Sequence, residues 1–546
     1  MERTEQQRRE KQELFTKLWT MVNDLRGNMD GSEFKNYILG TLFYRFLSDK
    51  TERVLNAQLA NDGLTYAEAW ADEDYKADLI EASLEDLGYV IEPEYLFSKL
   101  VEDVNNGVFN VLEYHKAIKE LEDSTRGQKS SVAFEGLFED LDLTSTKLGR
   151  EVKDRSKLIG RVLSTAAAIE IDYEDMSIDV LGDAYEYLMS MYAQTAGKKA
   201  GEFFTPKTMS TLLSRLATLG KEQAKNIMDP TAGSGSLLLE VIHSMQKDAD
   251  QTDRVGHIFA QEINSTTSNL CRMNLIMHGL SYDSFDVFNG DTLENPAFKG
   301  EKMDIIVANP PYSLNWSADT HFLEDERFSQ YGKLAPKSKA DFAFVQHIVS
   351  YMADDATAVV LLPHGVLFRG AAEGTIREYL IRELNVLDAV IGLPANCFYG
   401  TGIPVACLVL RKNRKNMDDI LFIDASNHYE SGKNMNTLRE EDLDRIVSAY
   451  EKRQDADKYA HVAKMDEIKE NDYNLNIPRY VDTAEEEEVI SLEDVAMNIQ
   501  QTQVELEQSK KDLFAFMKAL NGTSAETEKA LQDCLAKLMN GGDGNA

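Results

Sequence analysis

The sequence predicts three parts: an all-helical N-terminal domain, a doubly wound α/β domain, and a C-terminal helix of the coiled-coil kind. Hydrophobic residues recur at helical spacing in the first part, and short β-branched runs alternate with helical stretches in the second. A heptad repeat near the C-terminus predicts the third part. We divide the chain into residues 1–165, 166–483, 484–522 and 523–546, and we expect the last range to be a flexible tail.

Length and composition limit the class of protein. A chain of 546 residues predicts two or three domains, and 43% hydrophobic with 28% charged residues is ordinary for a globular protein. No apolar run reaches the roughly 18 residues of a membrane span, and the charged N-terminus is unlike a signal peptide, so we expect a cytoplasmic protein without membrane contact. Cysteines without a CxxC spacing predict buried free thiols and no metal site; they are Cys271, Cys397, Cys407 and Cys534.

The net charge of -35 constrains the partners of the chain. A protein that grips DNA unaided neutralises phosphates with clustered Lys and Arg side chains. A chain this acidic either acts on a substrate other than DNA or relies on a partner for most of its phosphate contacts.

Residues 10–161 have the pattern of helices and lack a catalytic constellation. After a predicted turn at residues 28–31, Ser32 is the expected N-cap of a helix whose hydrophobic stripe comprises Phe34, Ile38, Leu42 and Phe46. We therefore interpret this domain as a scaffold or a partner-docking module.

The central domain has the sequence pattern of an open α/β sheet. Short apolar runs alternate with helical stretches, and the predicted strands are residues 227–229, 257–262, 286–289, 303–308, 357–362, 386–393 and 405–410. In doubly wound sheets, ligands bind in the crevice at the carboxyl ends of the strands. The turns that follow these runs are therefore the expected location of the chemistry.

A glycine-rich turn follows the first predicted strand. Its sequence, at residues 229–236, is Asp-Pro-Thr-Ala-Gly-Ser-Gly-Ser, and an apolar helix comes next. Glycines let a ligand approach the backbone at a helix N-terminus, whose free N–H groups suit a carboxylate or another anion. The lack of a Gly-Lys-Ser/Thr ending disfavours a triphosphate-binding loop. The alternative interpretation is a purely structural strand-to-helix turn.

Two carboxylates end the next two predicted strands. Glu262, about thirty residues after the glycine turn, has the position of the acid that accepts hydrogen bonds from ribose hydroxyls. Asp291, after Gly290, is placed to contact an adenine amino group. The alternative for either acid is a helix cap.

The most informative segment is the strand that runs into Asn309, Pro310, Pro311 and Tyr312. Two prolines fix φ and remove backbone donors, so that rigid carbonyl acceptors can lie beside the amide oxygen of Asn309. An amine held by two acceptors keeps its lone pair directed at an incoming methyl group. Tyr312 offers a flat face on which a planar base or amide can stack. The alternative is an ordinary turn.

Two further segments accompany these motifs. Gly-Glu-Phe-Phe-Thr-Pro, at residues 201–206, precedes a helix that Pro206 can start, and its aromatic residues can pack against a sulfonium or an adenine. Leu-Pro-Ala-Asn-Cys-Phe, at residues 393–398, belongs to a loop between two late strands. Phe398 is a candidate exposed aromatic for the second face of a base, with a place in the hydrophobic core as the alternative.

The predicted C-terminal helix begins near Ser491, after an acidic run at residues 485–488. Hydrophobic residues recur every seven positions, at Leu492, Ile499, Leu506, Leu513 and Leu520. Val495 and Phe516 lie between these positions. Such a heptad seam predicts a helical partner. Because Thr502 and Ser509 interrupt the second row of the seam, packing on the chain's own domain is the alternative.

In this order, the segments resemble the amino-methyltransferases of the gamma arrangement, in which residues 201–206 precede the glycine turn and residues 309–312 follow it. Together with the helical domain, the Leu-Pro-x-x-x-Phe loop and the heptad helix, they resemble the modification subunits of type I restriction-modification systems over nearly the whole chain. The resemblance implies a methyl transfer from S-adenosylmethionine (SAM) to N6 of adenine in DNA.

The resemblance also implies roles for individual residues. Asp291 would lie near the adenine of SAM, and the other residues that would hold this cofactor are Glu202, Phe203, Phe204, Thr205, Pro206, Lys207, Asp229, Gly233, Ser234, Gly235, Ser236 and Glu262. The residues that would act on the target adenine, extruded from the duplex, are Asn309, Pro310, Pro311, Tyr312 and Phe398.

Partners are implied in the same way. A separate specificity subunit would read the sequence, two modification subunits would clamp double-stranded DNA around it, and a motor subunit would join in the restriction form. This arrangement reconciles the acidic charge with a DNA substrate, and the heptad seam would dock on the specificity subunit. Two other classes stay open: the same chemistry on a protein glutamine amide or an RNA adenine, and a non-catalytic assembly protein or an ATP-binding adaptor.

Overall fold

The structure, a computed structural model, describes residues 16, 31–169, 187–188, 205–246, 254–398, 402–432, 435–483, 491–521 and 523–540. Among these residues, no helix combines the length and the apolar character that crossing a membrane requires. Contacts divide the chain into two units, Met1–Thr483 and Ala484–Ala546.

Residues 31–169 form helices and turns without a strand, which confirms the predicted helical region. The helices are α1 (Gly31–Leu59), α2 (Tyr66–Trp70), α3 (Glu73–Asp86), α4 (Phe97–Asn105), α5 (Val111–Ser124), α6 (Ser131–Phe134) and α7 (Val152–Ala167). Ile38 and Leu42, on the predicted stripe, are buried. The prediction that Ser32 is an N-cap is wrong, because α1 includes Gly31 and Ser32 therefore lies within the helix.

A nine-stranded sheet has the order β3-β2-β1-β4-β5-β7-β6-β8-β9. The strands are β1 (Ala224–Asp229), β2 (Val255–Glu262), β3 (Phe285–Asn289), β4 (Met303–Ala308), β5 (Met352–Pro363), β6 (Leu387–Gly392), β7 (Val405–Arg411), β8 (Asp419–Asp424) and β9 (Ala460–Lys464). The strands from β3 to β5 are parallel, whereas β7 runs antiparallel to both β5 and β6. Every predicted strand is present, and the sequence prediction missed β8 and β9.

Alternate residues of the central strands enter two separate hydrophobic cores, because successive side chains of a strand point to opposite faces. Ile227 and Ile305 belong to one core, and Met228 and Ile306 belong to the other. The helices of this region are α8 (Lys207–Thr218), α9 (Ser236–Met245), α10 (Ser265–Met277), α11 (Asp341–Tyr351), α12 (Gly365–Phe368), α13 (Ala371–Arg382), α14 (Glu440–Lys452) and α15 (Met465–Glu470). The first core takes in α8 to α10 and the second takes in α11 and α13, which confirms the doubly wound class.

The helical region packs against the β2–β3 side of the sheet, through α10. Oγ1 of Thr266 donates to Asp140 over 2.8 Å, and Nδ2 of Asn269 donates to the carbonyl of Gly136 over 3.0 Å. Buried side chains of both regions form one continuous core. The two predicted domains therefore share an interface within one unit of the chain.

The C-terminal unit contains α16 (Leu492–Ala519) and α17 (Ala525–Asn540). Ser491 caps α16 by accepting from two backbone N–H groups, as its predicted start requires, and Leu520 lies just beyond the helix. α16 has no buried residue, so its heptad positions are exposed. The prediction of a flexible tail is wrong over α17, where Leu535 is buried. This helix also carries Cys534, which is exposed, whereas the other three cysteines are buried free thiols as predicted.

Candidate active site

Parallel pairing brings the predicted motifs to one edge of the sheet. β1 pairs with β4, with Ile227 opposite Ile305, and β2 pairs with both β1 and β3. The carboxyl ends of these four strands therefore carry the glycine turn, Asn309, Glu262 and Asp291 side by side. This is the edge at which open α/β sheets bind ligands.

The glycine turn leads from β1 directly into α9. Gly235 is the N-cap of α9, with a φ of 81°, and Ser236 is the first residue of the helix. Gly233 also has a positive φ, 54°. A Cβ at Gly235 would lie 3.0 Å from Sγ of the buried Cys271, so both the backbone conformation and the space at this position favour glycine. The first N–H groups of α9 have no partner within the helix and suit an anion.

Glu262 braces this turn from the end of β2. Its Oε2 accepts from the backbone N–H of Gly233 over 3.0 Å, and its Oε1 accepts from that of Asn264 over 2.8 Å. Burial raises the pKa of Glu262, against the effect of these hydrogen bonds. Each carboxylate oxygen can accept a second hydrogen bond, so the side chain can hold the turn and a ligand hydroxyl together.

Asp229 and Ser234 leave polar atoms unused beside the turn. Both residues are buried, and Oδ2 of Asp229 and Oγ of Ser234 have no hydrogen-bond partner among the residues that the structure describes. Burial and the nearby Glu262 raise the pKa of Asp229 to about 7. Buried polar atoms are rarely left without a partner, so this pair indicates a polar ligand. The residues present therefore fit a small cofactor with hydroxyl and charged groups.

Asp291 is half-buried at the end of the segment that follows β3. Its Oδ1 accepts from the backbone N–H groups of Leu293 and Glu294, over 2.9 Å and 3.2 Å. Asp291 thus caps a turn at the predicted edge of the sheet, and not the helix that the alternative interpretation supposed. A contact with a cofactor adenine stays a prediction.

The Asn309 side chain is hydrogen-bonded at both ends. Its Nδ2 donates to Oγ1 of Thr205 over 3.1 Å, and its Oδ1 accepts from the Tyr312 hydroxyl over 2.7 Å. Burial, with Asp341 nearby, raises the pKa of Tyr312, so its phenol stays a donor. Pro310 is buried and Pro311 is half-buried. The corner at the end of β4 therefore lies beside the predicted cofactor segment, and a tyrosine hydroxyl engages the predicted amine acceptor.

Asp341, in the first turn of α11, holds the backbone just after this corner. Its Oδ1 accepts from the N–H of Ser313 over 2.8 Å, and Ser313 has a strained φ of 52°. Its Oδ2 lies 3.3 Å from the guanidinium of Arg369, which in turn lies 3.2 Å from Glu373. The Asp341 side chain is fully buried. Sequence reasoning missed this network, since Ser313, Asp341 and Arg369 are far apart along the chain.

Phe398 is 2% exposed, so the prediction of an exposed aromatic is wrong. Its ring meets the Tyr312 ring edge-on, with centroids 6.2 Å apart and planes at 87°. Phe398 belongs to the same core as the sheet, which is the alternative that the sequence allowed. It therefore supports Tyr312 from the side.

The segment before α8 is only partly described. Glu202, Phe203 and Phe204 lie outside the described residues. Pro206 is the N-cap of α8, as predicted for a proline that starts the helix. Lys207 lies 2.5 Å from Oε1 of Glu240 on α9. Although burial opposes it, hydrogen bonds from His243, Lys207 and Thr211 and the charge of Lys207 lower the pKa of Glu240 to about 2. Lys207 therefore joins two helices, a role that the sequence did not predict.

Comparison with known proteins gives a consistent result over both regions. The N-6 DNA methylase family matches residues 176–489, and the HsdM N-terminal domain matches residues 14–165. The type I restriction enzyme MpnII methylase subunit of Mycoplasma pneumoniae is 37% identical over 87% of this chain and 90% of its own length. The MjaVIII methylase subunit of Methanocaldococcus jannaschii is 33% identical over 64% of this chain and 61% of its own length.

A solved structure adds a comparison of the fold. The crystal structure of the type I restriction-modification system methyltransferase subunit from Streptococcus thermophilus is 41% identical, with a TM-score of 0.79, and the match covers 86% of this chain and all of that one. Sheet order and glycine turn thus define an α/β methyltransferase. The chain belongs to the N-6 DNA methylase family, among the methylase subunits of type I restriction-modification enzymes.

Proposed function

We propose that this chain transfers a methyl group from SAM to N6 of an adenine extruded from double-stranded DNA. The observation that carries the proposal is the position of Asn309. It directly follows β4, which pairs with β1, the strand that leads into the glycine turn, and its side chain is hydrogen-bonded to Thr205. An acceptor for an amine thus lies beside a turn with unused polar atoms.

The cofactor side would be formed by Ser234, Gly235 and Ser236 at the N-terminus of α9, with Asp229 and Glu262 beside them. When bound there, SAM supplies an electrophilic methyl group. Glu262 suits the ribose hydroxyls, because its oxygens retain accepting capacity after bracing the turn. The unused oxygens of Asp229 and Ser234 suit the polar groups of the same ligand.

On the target side, Oδ1 of Asn309 would accept one hydrogen of the adenine amine. An amide oxygen has two lone pairs, and Tyr312 uses one of them. The base either takes the second lone pair or displaces the Tyr312 hydroxyl, which occupies the position of an amine donor. Extrusion costs a few kcal/mol, which stacking on Tyr312 offsets. Aligning the two reactants can lower the barrier by about 7 to 11 kcal/mol.

We propose further that a specificity subunit reads the DNA sequence, with two copies of this chain beside it and a motor subunit added in the restriction form. The heptad positions of α16 support a helical partner, since they are apolar and exposed at Leu492, Ile499, Leu506 and Leu513. A complex of this kind works in the cytoplasm, where its DNA lies.

The first experiment separates substrate classes. The chain, co-expressed with its neighbouring specificity subunit, is incubated with labelled SAM and duplex DNA, RNA or a glutamine-containing protein. We expect label in DNA as N6-methyladenine. Label in RNA or protein instead would support the rival substrates, which the charge of -35 favours.

A second pair of measurements tests for a non-catalytic or ATP-binding protein. Calorimetry with SAM and with ATP should show binding of SAM alone. Sequencing of methylated DNA from cells that express the chain with and without the specificity gene should show methylated sites only with it. Binding of ATP alone, or the absence of any methylated site in both cultures, would contradict the proposal.

A further inference from the structure

The loop between β4 and α11 carries an unusual balance of charge. Residues 328–340 contain Lys333, Lys337 and Lys339 and no acidic residue, in a chain whose net charge is -35. Lys333 and Lys337 are exposed and Lys339 is half-buried. None of the three forms an ion pair with a residue that the structure describes.

Hydrogen bonds hold the segment of Lys337 and Lys339 beside the Asn309 corner. The N–H of Ala340 donates to the carbonyl of Leu314, and the N–H of Trp316 donates to that of Lys337, both over 2.9 Å. Nζ of Lys339 donates to Oγ of Ser313 over 3.3 Å. Because Ser313 and Leu314 directly follow Tyr312, Lys337 and Lys339 lie beside the candidate target site, and Lys333 belongs to the same loop.

The segment is held rigidly. Trp316 is buried, packs against Phe322 and Phe328 with ring centroids 5.2 Å and 5.7 Å apart, and donates its indole N–H to the carbonyl of Pro336 over 3.1 Å. The backbone that presents the lysines is therefore ordered before any ligand binds. Preorganisation of this kind reduces the entropy lost on binding.

Two buried carboxylates lie near the lysines, Asp341 and Glu373, and both are paired with Arg369; the charge of Lys339 also acts on Glu373, opposing the rise in its pKa that burial causes. Asp341 is directed inward, to Ser313 and Arg369. Three acids in the middle of the same loop line a cavity of about 1250 Å³ at the opposite edge, where β4, β5 and β6 begin; they are Glu324, Asp325 and Glu326. Residues 328–340 thus present positive charge beside the candidate active site, whereas the acids at residues 324–326 lie at the opposite edge.

We propose that Lys333, Lys337 and Lys339, which we call the lysine ridge, contact the DNA phosphates that flank the extruded adenine. This inference rests on the proposed function. A nucleotide turned out of the duplex stays attached to its backbone, which brings the neighbouring phosphates to the mouth of the pocket. Lysine ammonium groups suit phosphates as point charges, and such contacts position the DNA without reading its sequence. The acidic subunit therefore makes some of its own phosphate contacts.

The test is the salt dependence of DNA binding by the full chain in complex with its specificity subunit. Anisotropy of a labelled duplex at increasing NaCl gives the slope of log K against log salt, which changes by about 0.9 for each phosphate contact. We expect the triple variant K333Q/K337Q/K339Q to lower the slope by about 2.7, and K333Q/K337Q, which keeps the bond to Ser313, by about 1.8. Arginine at all three positions should retain the slope.

The matched control is K225Q/K299Q/K415Q, which removes three exposed lysines at the edge where the parallel strands begin. Its slope should equal that of the wild type, and SAM affinity should be unchanged in every variant. In a complex that methylates DNA, two results would contradict phosphate contacts by the lysine ridge. One is a ridge variant with the wild-type slope, and the other is a control variant whose slope decreases as much as that of the ridge variant. A wild-type complex that methylates only RNA or protein would overturn the proposed function, whatever the slopes.

Discussion

The two sides of the candidate active site differ in how their polar groups are satisfied. On the cofactor side, Oδ2 of Asp229 and Oγ of Ser234 are buried without a hydrogen-bond partner among the described residues. On the target side, the amide of Asn309 is bonded at both ends, to Thr205 and to Tyr312.

This difference has an energetic consequence. A buried polar atom without a partner costs about 1 to 3 kcal/mol, so the cofactor side gains stability when a ligand supplies the missing hydrogen bonds. The target side must instead exchange contacts within the protein for contacts with a base. Under the proposed function, the resting arrangement therefore favours cofactor binding, whereas the binding of a base competes with Tyr312.

Among residues that support the corner without contacting the amine, the largest effect is expected for Asp341→Ala. It removes the acceptor of the Ser313 N–H and the partner of Arg369, so the corner loses its anchor. With a cost of about 1 to 3 kcal/mol, kcat should decrease about 10- to 100-fold while the Kd for SAM is unchanged. Single-turnover methylation and calorimetry measure the two quantities.

The matched control for Asp341 is Asp304→Ala. Like Asp341, Asp304 accepts from the backbone, here from the N–H groups of Lys225 and Asn226, but at the opposite end of β4. Asp341→Asn, which retains an acceptor for Ser313, should recover part of kcat. An equal decrease of kcat in the Asp304 variant would show that Asp341 is merely structural.

On the cofactor side, Gly235→Ala should weaken SAM binding about tenfold, because a left-handed backbone costs a side chain roughly 1 to 2 kcal/mol. The added Cβ also lies 3.0 Å from Cys271. Gly63→Ala is the control, since Gly63 has a φ of 69° and nothing within 4 Å of the added carbon. Isothermal titration with SAM should find a weaker complex for the first variant only; unchanged affinity in both would remove the turn from the cofactor site.

Tyr312→Phe tests the competition on the target side. The substitution removes the Tyr312 hydroxyl, which donates to Oδ1 of Asn309, and therefore leaves this oxygen free to accept from a base. The face of the aromatic ring is retained. Methylation of DNA should be unchanged or raised by a factor of about 2 to 5, whereas Tyr312→Ala should lose about 1 to 3 kcal/mol of stacking. If phenylalanine and alanine lower kcat/KM for DNA equally, the hydroxyl is a required part of the site.

The smallest effect concerns stability and pH on the cofactor side. Burial raises the pKa of Asp229 to about 7 from its ordinary 3.8, so the folded state takes up a proton that the unfolded state binds only at lower pH. Without cofactor, Tm should rise as pH falls from 8 to 5, and Asp229→Asn should reduce this rise. Scanning calorimetry between pH 8 and pH 5 measures this pH dependence of Tm, with Asp304→Asn as the control. An equal pH dependence of Tm in the wild type and in Asp229→Asn would contradict the raised pKa of Asp229.

Much of the fold was accessible to sequence reasoning because its patterns are local. The β-branched runs of the central strands and the glycine turn each lie within a few residues, and the parallel order then brings their ends together. β8 was missed because it is buried along its whole length but begins and ends with an acid. The first of these, Asp419, is satisfied by Arg453, a partner that only the fold supplies.

The details of the site depended on contacts between distant segments. Ser313 and Arg369 each lie 28 residues from Asp341, so no spacing rule links them. The burial of Phe398 likewise follows from how its loop returns to Tyr312. In α17, by contrast, apolar residues at helical spacing were present in the sequence. The helix was not predicted because the glycine-rich end of the chain led us to expect a flexible tail.

The central claim is that Asn309 holds an amine beside a bound cofactor, and Asn309→Ala tests it most directly. We expect methyl transfer to DNA to decrease about 10³-fold, with the Kd for SAM unchanged, because the lost acceptor acts on the reacting nitrogen alone. Asn226→Ala, which removes an amide bonded to the carbonyl of Lys302 at the other end of β1, should retain transfer. Equal loss of SAM binding and transfer, or full activity, in the Asn309 variant would contradict the account.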